Sequence, residues 1–166
     1  CAGVCADCIE IAGADRVITI DLHSPQIQGF FKIPVDHLYS FPLLCEYIKT
    51  LKIPDLVVVS PDVGFAKNAR KFASYLDLPT VICDKNRSDH YSKPEVIEIY
   101  GNVKNKNVLI VDDFTVTCGT LTQAAKAMKL KGAKSIYAVV THALLDEKGT
   151  RMLEESGERR VWEEFR

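Results

Sequence analysis

The chain has 166 residues, 47% hydrophobic and 26% charged, the size and balance of one ordinary globular domain. Its 21 basic and 22 acidic residues leave a net charge of −1, which excludes the strongly basic surface of a nucleic-acid binder. No apolar run is long enough to span a bilayer, and the first ten residues lack the basic segment and apolar core of a signal peptide, so a cytoplasmic protein with no membrane partner is expected.

Residues 1–12 read as a helix ending at Gly13. It starts abruptly at Cys1, as expected of a chain lacking an upstream part. The spacing Cys5-x-x-Cys8 admits a zinc or redox reading, but no second pair accompanies it and the spacing is also helical. Reduced thiols of a cytosolic protein are expected for all six cysteines. Arg16 to Leu22 reads as a strand, Pro42 to Leu51 as a helix, and Leu56 to Ser60 as a buried strand. A helix over Ala66 to Leu76 follows, then strands over Thr80 to Cys83 and Val96 to Tyr100. Val108 to Val111 is a strand, Leu121 to Leu130 a helix capped by Gly132, Ser135 to Thr141 a strand and Glu147 to Glu155 a helix. The charged end, Glu154 to Arg166, reads as a frayed or solvated tail. Strands alternate with helices, and several are continuous apolar runs. That pattern predicts an α/β fold, a doubly wound and mostly parallel sheet covered on both faces.

In such sheets ligands bind beyond the carboxyl ends of the strands. Five strands deliver polar groups there: Asp21 and His23; Ser60 and Asp62; Asp84, Lys85 and Arg87; Asp112 and Asp113; Thr141 and His142. The fold is expected to gather these ends at one edge. Asp112 and Asp113 repel as neighbours, so a cation or sugar hydroxyls are expected to offset them. The bland alternative is a strand terminus followed by a capping acid. Thr117-Cys118-Gly119-Thr120 precedes a helix, where hydroxyls, a glycine and free N–H groups suit an anion. A plain N-cap by Thr117 or Thr120 is the alternative. Together, the acids and the turn point to a phosphorylated sugar.

Ser60-Pro61-Asp62-Val63-Gly64 also joins a strand to a helix and could present N–H groups to a second phosphate, with Asp62 near a divalent ion; simple capping would explain it equally. His23 could ligate a metal or touch a phosphate, or be structural. Lys85 and Arg87 open a polar stretch, Asp84 to Pro94, which reads as a mobile loop. Its cations could close over phosphates and stabilise charge, or be merely solvated.

The segment Val111-Asp112-Asp113-x-x-x-Thr117-Cys118-Gly119-Thr120 resembles the phosphoribosyl-diphosphate loop of type I phosphoribosyltransferase folds. Gly13-Ala14-Asp15-Arg16, Asp21-Leu22-His23-Ser24, Gln26-Ile27-Gln28-Gly29-Phe30-Phe31 and Ile33-Pro34-Val35-Asp36-His37-Leu38-Tyr39 narrow the resemblance to the ribose-phosphate pyrophosphokinases (phosphoribosyl-diphosphate synthetases). Val59-Ser60-Pro61-Asp62 and Gly132-Ala133-Lys134 belong to the same resemblance, which runs from about Ala12 to His142. It implies transfer of a diphosphate from Mg-ATP to the anomeric hydroxyl of ribose 5-phosphate, giving phosphoribosyl diphosphate and AMP. Asp112 and Asp113 would hold the ribose hydroxyls, and Thr117, Cys118, Gly119 and Thr120 the 5-phosphate. Asp62, Val63 and Gly64 would form a diphosphate loop. His23 and Asp62 would sit by Mg2+ and the nucleotide phosphates, and Lys85 and Arg87 would be catalytic. Self-association into a homo-oligomer is also implied.

The resemblance is incomplete. Members of that family carry two phosphoribosyltransferase-like domains in tandem. Residues 1–40 match the end of the first, and residues 41–166 match a second that is expected to be incomplete. The family's upstream Arg-Gln-Asp segment is absent, its Gly-Gly is Gly64-Phe65 here, and the stretch after His142 diverges. A non-catalytic regulatory or binding relative, or a phosphoribosyltransferase, therefore remains an alternative.

Overall fold

The computed structural model describes residues 1–86, 96–156 and 159–160, with the backbone alone at 85, 86, 96, 154–156 and 159–160. Its contacts divide the chain into two compact units, Cys1–Phe41 and Pro42–Arg166.

The first unit opens with helix α1, Ala2–Ile11. It stops where Gly13 takes a φ of 99°. The Gly13 N–H donates to the Glu10 carbonyl at 2.9 Å and the Ala14 N–H to the Ile9 carbonyl at 3.3 Å. This is the glycine-terminated turn expected from the sequence. Strand β1, Val17–Ile20, pairs in parallel with β2, Val35–Leu38, from Val17↔Val35 to Ile20↔Leu38. A 3-10 helix, Pro25–Phe30, connects them. Sequence patterning missed both the 3-10 helix and β2, because four residues with acid and histidine at their centre show no apolar run. The Arg16 guanidinium grips Asp36 with two bonds, Nε to Oδ2 at 2.5 Å and Nη2 to Oδ1 at 3.0 Å. This contact raises the Arg16 pKa and lowers that of Asp36.

Helix α2, Phe41–Thr50, lies in the second unit from Pro42 onward, followed by β3, Leu56–Ser60, and α3, Ala66–Leu76. Then come β4, Thr80–Asn86; β5, Val96–Tyr100; β6, Asn107–Thr115; and α4, Gly119–Leu130. Strand β7, Ser135–Ala143, helix α5, Glu147–Ser156, and the two-residue β8, Arg159–Arg160, complete it. The sheet order is β5-β4-β3-β6-β7-β8. All neighbours are parallel except the antiparallel β4–β5 pair at one edge. From β3 the chain steps through α3 to β4 on one side; from β6 it steps through α4 to β7 on the other. The direction reverses between β3 and β6, and the crevice of a doubly wound sheet opens at that point.

Every residue of β3 is buried, as are Asn107–Val111 of β6. Successive side chains alternate between the two faces. Val57, Val59, Val108 and Ile110 pack with Val81, Cys83, Leu121, Ala124 and Met128 in one core cluster. Val58, Leu109 and Val111 take the opposite alternation and are equally buried, which accounts for the unbroken apolar runs.

Two of the boundaries that differ from the sequence expectation bear on the polar strand ends. Strand β4 does not end at Cys83. Asp84, Lys85 and Asn86 continue it, paired with Glu98, Ile97 and Val96, so the stretch expected to be a loop starts as a strand. Strand β6 continues past Val111 through Asp112, Asp113 and Phe114 to Thr115, because β7 pairs alongside it as far as Ala143. Arg87 and the rest of the expected loop, to Pro94, lie outside the described residues, as does most of the tail read over Glu154 to Arg166.

Helix α4 ends as the sequence indicates. The Gly132 N–H donates to the Lys129 carbonyl at 3.0 Å and the Ala133 N–H to the Met128 carbonyl at 3.1 Å, with Gly132 at φ 85°. An alanine forced into that left-handed conformation costs about 1–2 kcal/mol. Gly132→Ala is therefore expected to lose that much stability in urea unfolding. A variant as stable as the parent would show that the turn relaxes freely.

Candidate functional site

Near its carboxyl end β6 carries two adjacent acids, Asp112 and Asp113. The Asp113 N–H donates to Asp112 Oδ1 at 3.0 Å, and the Phe114 N–H donates to Asp113 Oδ1 at 2.9 Å. Each carboxylate thus accepts a bond from the next peptide. Burial pushes Asp112 up from 3.8 to about 7; the charges of Asp113 and Asp62 push the same way, against the bond from the Asp113 N–H. Asp62 comes from the end of β3, the strand beside β6. Its charge reaches Asp112 because the two strands flank the point where the chain reverses.

Asp62 also shapes its own turn. Its Oδ1 accepts the Phe65 N–H at 2.9 Å, and its carbonyl accepts the Ser60 hydroxyl at 2.7 Å. A Cβ on Gly64 would lie 3.2 Å from that same Oδ1. The turn is therefore held by an aspartate in the manner of an Asx cap, with Val63 exposed at its tip. Asp62 thus bonds within its own turn, ahead of α3, whose N-cap Phe65 carries no side-chain cap.

Six residues after Asp112, Cys118 stands at the N-cap of α4 with φ 56° and ψ 10°, a left-handed conformation unusual for any residue but glycine or asparagine. No side chain caps the helix, and its first turn contains no acid. The alternative reading, a plain N-cap by Thr117 or Thr120, is not what the helix start shows. Cys118 is 1% exposed, so its thiol is buried. Thr117 is exposed, and Gly119 and Thr120 are half-buried. Thr122 steadies the turn from within, donating its hydroxyl to the Cys118 carbonyl at 2.9 Å and to that of Gly119 at 3.2 Å. The leading amides of a helix have no intrahelical partner, and the dipole there favours an anion.

The expectation that five strands meet at one edge is corrected to four. Strand β1 pairs with β2 in the first unit and is no part of the six-stranded sheet. His23 is exposed in that unit. Asp21, at φ 45°, accepts the Ser40 N–H at 3.2 Å and the Ser40 hydroxyl. His37 Nε2 accepts the Leu22 N–H at 3.0 Å, and Gln28 lies against its Nδ1 at 3.3 Å. Much of the distinctive sequence around Asp21 to Tyr39 therefore builds a turn. Of the two expected catalytic cations, Lys85 lies on β4 opposite Ile97, and Arg87 is outside the described residues. Among the described residues no group of three or more His, Cys, Asp and Glu side chains is arranged to hold a metal ion. No described helix is long and apolar enough to cross a membrane.

Sheet order, the crevice at the reversal and the acid-then-turn sequence of β6–α4 define an α/β protein of the phosphoribosyltransferase fold. The chain belongs to the phosphoribosyl transferase domain family, whose model matches residues 43–164. It is 54% identical over 145 residues to the ribose-phosphate pyrophosphokinase of Chlorobaculum tepidum, covering 87% of this chain and 45% of that protein. It is 49% identical over 147 residues to the enzyme of the same name from Bacillus caldolyticus, with the same two coverages. Among solved structures, phosphoribosylpyrophosphate synthetase from Mycobacterium smegmatis superposes with a TM-score of 0.85 at 38% identity, over 96% of this chain and 52% of that one. The relatives are thus the ones the motifs indicated, and the chain spans about half their length.

The acidic crevice has a consequence for stability. An acid whose pKa is higher in the folded state holds its proton more tightly there. Between 3.8 and about 7 the native chain therefore binds more protons at Asp112, and this contribution falls as pH rises. Asp112→Asn is expected to gain stability relative to the parent on going from pH 5 to pH 8 in paired urea unfolding curves. A difference that stays constant with pH would contradict the burial and charge crowding described for Asp112.

Proposed function

We propose that this chain supplies the ribose 5-phosphate half of a ribose-phosphate diphosphokinase, which transfers diphosphate from ATP to ribose 5-phosphate. The observation that carries the reading is the closeness of two unlike features, the Asp112–Asp113 carboxylates and the side-chain-uncapped start of α4. Carboxylates accept sugar hydroxyls, and the leading amides of a helix accept a phosphate. One furanose bearing a terminal phosphate matches both.

In this reading the amides of Thr117, Cys118, Gly119 and Thr120 hold the 5-phosphate while Asp112 and Asp113 accept hydrogen bonds from the ribose hydroxyls. That fixes the anomeric oxygen. It attacks the β-phosphorus of ATP, the bond from that phosphorus to the oxygen of the α-phosphate breaks, and AMP leaves. Asp62, Val63 and Gly64 flank the diphosphate, and Lys85 and Arg87 stabilise its charge in transfer, where positioning and electrostatics carry most of the catalysis. Mg2+ suits the hard oxygen donors of this crevice, and Asp62 would help to hold it; when bound, the ion neutralises phosphate charge. We assign residues 1–40 and 41–166 to two successive phosphoribosyltransferase-like domains, of a cytoplasmic protein that self-associates. A non-catalytic binding or regulatory subunit is the second reading, favoured by Phe65 following Gly64 in the Asp62 turn.

Titration calorimetry of the chain with ribose 5-phosphate is expected to show one site, lost in Asp113→Ala. Binding unchanged in that variant would remove Asp113 from the sugar site. With Mg-ATP added, AMP release marks the catalytic reading, while binding without turnover marks the second.

A further inference from the structure

The turn assigned to the 5-phosphate is backed by a segment outside the crevice. The Leu144 N–H donates to the Thr115 carbonyl at 2.9 Å, just before that turn. Asp146 then caps α5, its Oδ1 accepting the Gly149 N–H at 2.6 Å and its carbonyl accepting the Thr150 N–H at 3.0 Å. Gly149 is buried. A Cβ there would lie 2.4 Å from the carbonyl oxygen of Val116 and 3.4 Å from the carbonyl carbon of Thr117. No methyl fits at 2.4 Å from an oxygen, so the first turn of α5 seats against the backbone of the phosphate turn only because residue 149 lacks a side chain. Gly149 shows no positive φ, so its requirement is space rather than conformation.

We propose that Gly149 is a positioning residue for the phosphate turn, setting the orientation of the Val116–Thr117 peptide through direct contact with its carbonyl. This rests on the ribose 5-phosphate reading above. The peptide unit is planar and trans, so its C=O and N–H point in opposite directions. Seating the Val116 oxygen against α5 aims the Thr117 N–H away from α5. Any side chain at 149 turns the carbonyl, and the amide turns with it. The residue thus acts on a ligand it does not touch, by fixing the angle of one donor.

The test compares Gly149→Ala with Leu153→Ala, a core truncation one turn farther along α5; Leu153 is 8% exposed. Ribose 5-phosphate affinity is measured by calorimetry and stability by thermal melting. Gly149→Ala is expected to weaken binding at least about tenfold, while Leu153→Ala lowers the melting temperature and binds within about twofold of the parent. A folded Gly149→Ala that binds like the parent overturns the proposal, as does equal loss of affinity in both variants. Hydrogen exchange on the unaltered chain serves if Gly149→Ala does not fold. Ribose 5-phosphate is expected to increase protection at Gly149 and Thr150 together with the turn, and protection unchanged at Gly149 and Thr150 overturns the proposal. If the parent chain binds no ribose 5-phosphate at all, it is the ribose 5-phosphate reading that has failed, not the role of Gly149.

Discussion

Like charges crowd the one crevice that the sheet leaves open. Asp62 at the end of β3 and Asp112 and Asp113 near the end of β6 come together because the chain turns back between those strands. The repulsion is reduced by holding Asp112 partly protonated, with a pKa of about 7, and by spending peptide N–H groups on the carboxylate oxygens. A buried acidic group arranged in this way is costly for stability and is suited to hydroxyl donors or a cation.

The rest of the second unit holds that arrangement in place. The buried runs of β3 and β6 fix the two strand ends, and β7 extends the β6 ladder far enough to carry the acids in an extended backbone. The left-handed Cys118 then turns the chain from the strand into α4 within a few residues. The contact of Gly149 with Val116 belongs to the same scheme, a rigid backing for a turn whose other side is open.

The apolar runs of β3 and β6 and the helical spacing of α3 made the class of fold and the order of elements legible, because burial on both faces leaves a continuous signal. The glycine turns at Gly13 and Gly132 were legible for the same reason of single-residue chemistry. Strand β2 was not, since its pairing with β1 is decided by the chain around it and not by its own composition. The extension of β6 through Asp112 and Asp113 was hidden because polar residues normally mark a strand's end, and only pairing with β7 overrides that. At the site, the acids and the Thr/Gly turn could be found as a motif. The buried Cys118, the structural duties of Asp21 and His37, and the steric demand on Gly149 depend on contacts between residues distant in sequence or on backbone angles that residue type does not announce.

The central claim is that one ligand bridges the carboxylates of β6 and the amides at the start of α4. The most direct test is amide chemical-shift mapping of the isotopically labelled chain during titration with ribose 5-phosphate. The account predicts saturable shifts at Asp113, Thr117, Gly119 and Thr120 with a common midpoint. Binding that shifts amides elsewhere and leaves these four in place would contradict it.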